Sequence, residues 1–472
     1  MKRWLMIWML LVTMFCVGCV TQEELDPAAT ASPTAPTSAL KPVTAVATLQ
    51  ATATLPPTTT PVVIPTDAPP EPTGTPQPTI TPTLPPLEPP PGEIFFFLQP
   101  EGQDAFNLYR ANAPDHAAEW QITTILEQIS PPLVPIQISP DKSKLAFLLT
   151  HDTNGDGELT WHPIRDHQDI FVYDLTKDSI RQLTNTQTSE GESGGIVWAL
   201  DSRAVISIYF HQIENILLDG SLSETILSFA DIAAEGGVTL SPDGELLIFS
   251  TTGSAIDEGV FQGGGKLQAF VPNSGSLTMI HDKGVNLAIG QNAWSPDGKW
   301  WTYNDPSGDI LMLDREKMEV FYLVTGEAIG GNPHWSMDGN WLAFKSDQGS
   351  LSLWNPDTQI KTEFLNADFV NDPLWSPYSN YHLAATLVQE DIEQLITFDV
   401  ATGNIYTHLE AMPEQDFDLY GWSPDGDWLL LSITDPTQSG LFVMHLDSGA
   451  MAQVIDTTGG ILVNAHIWVP DL

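Results

Sequence analysis

The chain has 472 residues, 42% of them hydrophobic, and carries 60 acidic against 17 basic side chains, a formal net charge of −43. A surface this negative repels nucleic acid and anionic lipid head groups, so both are disfavoured as partners; solubility outside the cell accounts for the charge, and cationic partners or divalent metals are the weaker implication. The only two cysteines, Cys16 and Cys19, lie close to the start, so the body holds no disulfide and depends on packing and on any metal it binds.

Met1-Lys2-Arg3 is a short basic start, and the stretch from Trp4 to Gly18 is apolar except at Thr13 and Cys16. It is too short for a comfortable membrane span and suits a signal peptide, 1–18. It ends in Cys16-Val17-Gly18-Cys19, which resembles a bacterial lipobox with Cys16 where Leu is usual. The resemblance implies acylation of Cys19 and attachment to a membrane of the cell envelope through lipid; an uncleaved N-terminal anchor is the alternative. Residues 19–92 follow as a linker rich in Pro, Thr and Ala, as in Pro56-Pro57-Thr58-Thr59-Thr60-Pro61. Such a segment buries no apolar face and favours extended polyproline-type backbone, giving a reach on the order of 200 Å at about 3.1 Å per residue. Its Thr and Ser content also permits O-glycosylation.

From residue 93 the pattern changes to short apolar strands. The first three are Ile94-Phe95-Phe96-Phe97-Leu98, Phe106-Asn107-Leu108-Tyr109 and Trp120-Gln121-Ile122-Thr123-Thr124. Then one phrase recurs: strand, tight turn, strand. Its turns are Ser139-Pro140-Asp141, Leu200-Asp201-Ser202, Ser241-Pro242-Asp243-Gly244, Ser295-Pro296-Asp297-Gly298, Ser336-Met337-Asp338-Gly339, Ser376-Pro377-Tyr378 and Ser423-Pro424-Asp425-Gly426, with a partial copy at Val469-Pro470-Asp471. Successive anchors (141, 201, 243, 297, 338, 378, 425, 471) are 60, 42, 54, 41, 40, 47 and 46 residues apart. Pro presets φ, and Asp with a following Gly suits a reversal that includes a left-handed residue. Fully apolar runs such as Leu246-Leu247-Ile248-Phe249 follow, as buried strands require. A period in the forties with several strands per copy predicts an all-β fold, a β-propeller over 93–472.

The turns fit the link between the innermost strand (A) and the next (B) of each blade. The tryptophans before them recur once per unit, which points to space filling between sheets rather than ligand stacking. The three early strands look like B, C and D of a blade whose A strand is the final run, Ile461 to Trp468. Pairing the chain's two ends would close the ring and remove exposed sheet edges. Eight blades are expected, seven if the weak unit at Asp201 is not a blade of its own. Copies such as Trp294-Ser295-Pro296-Asp297-Gly298-Lys299-Trp300 and Trp422-Ser423-Pro424-Asp425-Gly426-Asp427-Trp428 resemble the repeat of TolB-like, Trp-Asp-like propellers, which relatives of prolyl oligopeptidase also carry. The resemblance covers roughly 93–472 and implies the fold, which hosts many activities.

The sharpest local motif is Asp152-Thr153-Asn154-Gly155-Asp156-Gly157-Glu158. Oxygen side chains at alternate positions followed by Gly match the first half of a calcium loop, with Asp152, Asn154 and Asp156 giving side-chain oxygens, Glu158 its carbonyl, and Asp166 or Asp169 completing the shell. Pro163 stands at the twelfth position, so the bidentate Glu of an EF-hand is missing. The ion's role would be structural. His151, His162 and His167 flank the loop, but their spacing matches no strong zinc pattern, and exposed loop histidines are the expectation. Gly191-Glu192-Ser193-Gly194-Gly195 matches a nucleophile elbow formally, yet lacks the strand, helix and hydrolase domain that motif needs.

The two longest repeats carry extra residues between strands B and C, at about 150–168 and 252–265. Both should emerge on the face opposite the repeated turns, beside the 185–195 loop, over blades two to four. Trp161 and Phe261 are the exposed aromatic candidates for ligand contact there. The reading favours a surface lipoprotein, monomeric and without catalytic activity, whose propeller binds a protein, peptide or glycan. The alternative is an enzyme, a lyase or glycoside hydrolase, with carboxylates gathered at the channel mouth; a purely structural envelope protein is a third option.

Overall fold

The computed structural model describes residues 89–470, apart from the segments 114–119, 131–134, 153–166, 187–194, 210–211, 229–233, 252–255, 258–259, 262–265, 283–291, 306–308, 326–331, 346–349, 366–367, 370–371, 380–381, 390, 413 and 436–438. The signal peptide, Cys19 and nearly all of the 19–92 linker therefore lie outside the described residues.

Every regular element among the described residues is a β-strand, and the strands assemble as a succession of antiparallel sheets of propeller type. In chain order these are numbered sheets 1 to 8, each running A, B, C, D from one edge to the other. Sheet 1 pairs Ile461–Val469 with Glu93–Gln99, then Phe106–Asn112 and Gln121–Ile129. Sheet 2 is Gln137–Ile138, Lys144–His151, His167–Asp174 and Ser179–Gln182, and meets sheet 1 at the pair Ile129–His151. Sheet 3 is Gly195–Trp198, Ala204–Tyr209, Gln212–Leu217 and Glu224–Ser228. Sheet 4 is Ala234–Leu240, Leu247–Thr251, Lys266–Val271 and Ser276–His281, with the small hairpin Ile256–Asp257 and Val260–Phe261 inserted between B and C. Sheet 5 is Asn292–Trp294, Trp300–Asn304, Ile310–Asp314 and Glu319–Val324; sheet 6 is His334–Trp335, Leu342–Lys345, Leu351–Asn355 and Ile360–Leu365. In sheet 7 the A strand is split into Asp368–Phe369 and Leu374–Trp375, both against His382–Gln389, followed by Ile392–Asp399 and Ile405–Glu410. Sheet 8 is Asp416–Trp422, Trp428–Thr434, Ser439–His445 and Met451–Asp456.

The two ends of this region meet in one sheet: Glu93 pairs with Val469, Ile94 with Trp468, Phe95 with Ile467 and Phe96 with His466. The first strand shows why five consecutive apolar residues are needed there. Both of its faces are covered, so the usual alternation of apolar and polar residues disappears. Phe95 and Phe97 pack against Leu145, Phe147 and Tyr173 of sheet 2, whereas Ile94, Phe96 and Leu98 pack against Trp428, Leu430 and Leu441 of sheet 8. Each further cluster likewise joins a sheet to its successor, as Leu148 and Ile170 of sheet 2 meet Trp198 and Val205 of sheet 3. Sheet 3, the weak unit at Asp201, is a full four-stranded sheet with its own packed neighbours.

The repeated turns join A to B, as the sequence implies, and the role of each residue is visible. In the turn at Ser336 the buried hydroxyl donates to Asp338 at 2.7 Å and accepts from the Trp341 amide at 3.0 Å, while Asp338 also accepts from the Asn340 amide at 3.0 Å. The same set recurs at Ser139, Ser241 and Ser295. Gly339 takes φ of 71°, a conformation that disfavours any side chain. The preceding tryptophans fill the space between sheets, and several have a second role. Their indole N–H reaches back to the A-strand carbonyl of the previous sheet: Trp198 to Gln137 at 3.0 Å, Trp375 to His334 at 2.9 Å, Trp422 to Leu374 at 3.0 Å. One residue type per repeat thus supplies both apolar area and a fixed spacing between innermost strands.

Candidate functional site

On the face carrying the B–C connections, a first polar group stands where the 153–166 segment leaves and rejoins sheet 2. His151 and His167 pair across strands B and C, and Leu149 pairs with Asp169 two rungs inward, on the same side of the sheet. Asp169 is fully buried. One carboxylate oxygen accepts from Thr184 Oγ1 at 2.7 Å and from the Thr186 amide and hydroxyl, both at 2.9 Å. The other lies 2.8 Å from His151 Nε2 and accepts from Gln182 Nε2 at 3.0 Å. Burial opposes ionisation here, but the donors His151, Thr184 and Thr186 outweigh it and hold the carboxyl below its usual range. The imidazole is thereby fixed with its edge against Phe171, ring centroids 5.4 Å apart, and about a quarter of its side chain exposed.

That network alters the expectation for Asp169. Five protein donors already surround its carboxylate, and a calcium ion would have to displace them before Asp169 completed a shell. Strand periodicity explains the placement: Asp169 shares the sheet-1 side of its strand with Phe171 and Tyr173, inside the sandwich rather than out on the loop. Of the other calcium candidates, Asp152 is half-buried and has an interaction partner. Asn154, Asp156 and Glu158 lie outside the described residues, as do Asp166, His162 and the aromatic candidate Trp161. Phe261 is described in its backbone only, pairing with Ile256 in the hairpin inserted into sheet 4. His167, expected as an exposed loop residue, is a buried strand residue with a partner. Within the Gly191–Gly195 match only Gly195 is described; it opens strand A of sheet 3, with no helix anywhere among the described residues.

On the rung between the His151–His167 and Leu149–Asp169 pairs, Thr150 and Gln168 point to the opposite side and face sheet 3, continuing the row of Leu148 and Ile170. Both are buried, at 2% and 7% exposure, yet Thr150 Oγ1 and Gln168 Nε2 have no hydrogen-bond partner. Buried polar atoms are nearly always satisfied, so this pair marks a place prepared for water or for a ligand group.

A second group occupies the same face at sheets 7 and 8. Glu393 is in the first turn-proximal rung of strand C in sheet 7; its Oε2 accepts from the Phe417 amide at 3.4 Å, and its buried Oε1 accepts nothing. Burial, opposed only by the Phe417 amide and reinforced by the charges of Asp416 and Asp418, pushes this carboxyl up to about 7. Titratable groups displaced in this way cluster at functional sites. Beyond it, at the seam with sheet 1, His466 Nε2 donates to the Tyr420 carbonyl at 2.8 Å, which fixes Nε2 as the protonated nitrogen. Its buried Nδ1 has no partner, and burial, only partly offset by that carbonyl, lowers the imidazole to about 4. Sequence reasoning passed over this group. The signal that would have found it is charge: no Lys or Arg occurs after Lys361, while 17 of the 60 acidic residues lie in 362–472.

No family model matches the chain, and no curated protein matches it by sequence. Among solved structures it is similar to the dipeptidyl peptidase 4 of Porphyromonas gingivalis, with a TM-score of 0.52 and 9% identity over 77% of this chain and 59% of that one. It is also similar to an oligogalacturonate lyase of Vibrio parahaemolyticus (TM-score 0.44, 13% identity, 76% and 99% covered) and to TolB of Acinetobacter baumannii (TM-score 0.34, 15% identity, 71% and 86% covered). At these identities the likeness concerns the fold, and this chain spans about three fifths of the length of the dipeptidyl peptidase. One expectation is corrected by it. The sequence reading favoured a chain without catalytic activity, but the fold is shared with an enzyme, and that inference from architecture is withdrawn.

Proposed function

We propose that residues 93–472 form an eight-bladed β-propeller, carried outside the cytoplasm on an acylated Cys19 by the 19–92 tether. Its face of B–C connections binds a protein, peptide or glycan. Support for the closed ring comes from the pairing of Glu93–Gln99 with Ile461–Val469 and from the cluster joining sheets 8 and 1. The observation that carries the binding reading is the contrast between the two faces. One is built from near-identical, internally satisfied Ser-x-Asp turns; the other holds the two insertions and the buried unpartnered atoms of Thr150 and Gln168. Asp152, Asn154, Asp156 and Glu158 are proposed to hold a structural calcium ion that pins the first insertion over sheets 2 and 3, with Trp161 and Phe261 as contacts for the ligand. Capture from envelope extract with the full chain and with a chain lacking 254–264 tests this. The deletion is expected to lose the captured ligand, and retention of full binding would refute the placement. Chelation is expected to lower the melting temperature, and an unchanged melt would discard the calcium.

A catalytic use of the same face is favoured by one observation, the Glu393 carboxyl held near neutrality beside Asp416 and Asp418. A carboxyl titrating there is poised to give or take a proton at working pH, as a lyase or glycoside hydrolase requires.

A further inference from the structure

We propose that the B–C face of sheets 7 and 8 is a docking site for a basic peptide segment, with one Lys or Arg side chain delivering its N–H donors to Glu393. The proposal is independent of ligand binding over sheets 2 to 4. It begins from charge. The 17 acidic and no Lys or Arg residues of 362–472 leave this part of the molecule without a fixed cation of its own. Where sheets 4 and 5 meet, by contrast, Arg315 spans to Asp243 at 2.6 Å and Glu245 at 3.3 Å. A half-buried carboxylate with no cation and only the long Phe417 amide bond is costly, so this arrangement lowers stability.

The geometry supplies the second, independent observation. Glu393 shares the sheet-8 side of sheet 7 with Leu395 and Ala384, which pack against Phe417 and Leu419. Thr386 lies on that side too, diagonal to Glu393; it is fully buried, and its Oγ1 has no hydrogen-bond partner. Two unpartnered oxygens, Glu393 Oε1 and Thr386 Oγ1, therefore stand diagonally on one side of sheet 7, where the charges of Asp416 and Asp418 also bear on Glu393. A metal ion does not fit: among the described residues no three Asp, Glu, His or Cys side chains converge closely enough to hold one. A multi-donor ammonium or guanidinium needs no such convergence, because its N–H groups spread over several ångströms. At the surface beside it Ile392 is 41% exposed and Met412 70%, and the Ala411 amide donates to the Glu393 carbonyl at 2.8 Å.

Binding should depend on pH, because the contact needs Glu393 ionised. The groups around it are Asp416 and Asp418 of sheet 8 and, on its own sheet, Glu410 and His408, whose imidazole burial pulls below its ordinary value. With Glu393 near 7, its ionised fraction falls roughly tenfold from pH 8 to pH 6. The test is calorimetric titration of the full-length chain in detergent with a hexa-arginine peptide at about 0.15 M salt, where exposed charges are screened beyond about 8 Å. Saturable binding is expected, roughly tenfold weaker at pH 6 than at pH 8 and roughly tenfold weaker in Glu393→Gln at pH 8. Asp447→Asn removes the same charge from the C–D turn of sheet 8, and should change affinity less than about twofold. Equal weakening by both substitutions would make the attraction a diffuse field and overturn the site, as would absence of binding at that salt or an affinity indifferent to pH. Glu393→Gln is expected to fold at least as well as the parent, so loss of binding cannot be confused with unfolding.

Discussion

Replacing Glu393 by Gln is expected to stabilise the chain at pH 8 by up to about 3 kcal/mol and to leave it almost unchanged near pH 4.5. The carboxyl moves from an ordinary 4.5 to about 7 in the folded chain, because burial and the neighbouring Asp416 and Asp418 disfavour its ionised form. An acid raised in this way keeps its proton on folding. Stability is therefore full below the unfolded value and declines as pH rises through the folded one, where the proton must be given up inside the sandwich. Gln cannot ionise and escapes that loss. Denaturant melts of both chains at the two pH values measure it. A parent and variant with equal midpoints at pH 8 would show that Glu393 is solvated or partnered, and would remove the reason to regard it as a retained functional group. Most substitutions of half-buried residues destabilise, so a gain confined to high pH is a specific signature.

The second large effect concerns the seam between sheets 8 and 1. Lowering the pH from 7 to 4.5 is expected to weaken the fold through His466 by as much as about 2 to 3 kcal/mol. The imidazole is displaced from 6.5 to about 4, mainly by burial. A histidine lowered in this way folds neutral, so its contribution is complete above the unfolded value and is lost as pH falls toward the folded one. The carboxylates of the turns act in a lower window: Asp243, pulled down to about 2 by Arg315, Ser241 and the Glu245 amide against the effect of burial, matters only below about 3.8. Between pH 6.5 and 4.5 the loss is thus carried by buried histidines, with His334 and His408 lowered in the same direction, each chiefly by burial. His466→Gln retains a donor for the Tyr420 carbonyl and should remove this loss, so that the stability difference between variant and parent changes by about 2 to 3 kcal/mol between pH 7 and 4.5. An unaltered profile in this variant would show that the seam does not hold His466 neutral.

Much of the architecture was legible in the sequence because the repeat obeys local rules. Ser336, Asp338 and Gly339 bond within one turn, and the A–B link they imply is the link observed. The run Ile94–Leu98 is apolar on both alternating faces, which reveals a strand covered twice, and the final strand from Ile461 finds it as expected. The candidate sites were less legible. Asp169 reads as a loop ligand by its nearness to Asp152–Glu158, whereas the two-residue strand period carries it inward beside Phe171, where Thr184 and Thr186 of the following segment meet it. Which donors surround a carboxylate depends on segments distant in sequence, and no local pattern encodes it. Glu393 looks like one acid among many; its distinction is the donor it lacks, and an absent partner leaves no motif. The tryptophans show the intermediate case. Their burial follows from recurrence, but the indole bonds of Trp198, Trp375 and Trp422 to the neighbouring A strands require the sheets to be in place.

The claim on which the architecture rests is that the first and last strands of 93–472 lie side by side. Gln99 and Ile461 are paired across those strands, and Ile461 is 52% exposed, so both positions accept cysteine without opening the core. Directly opposed residues place their Cβ atoms about 4.5–5.5 Å apart, close to the span of a disulfide after a small adjustment. The chain carrying Gln99→Cys and Ile461→Cys is expected to form an intramolecular 99–461 disulfide under mild oxidation, found by peptide mapping, and to melt higher than its reduced form. Two free thiols after oxidation, or a 99–461 bond found only between chains, would contradict the pairing and the proposed ring with it.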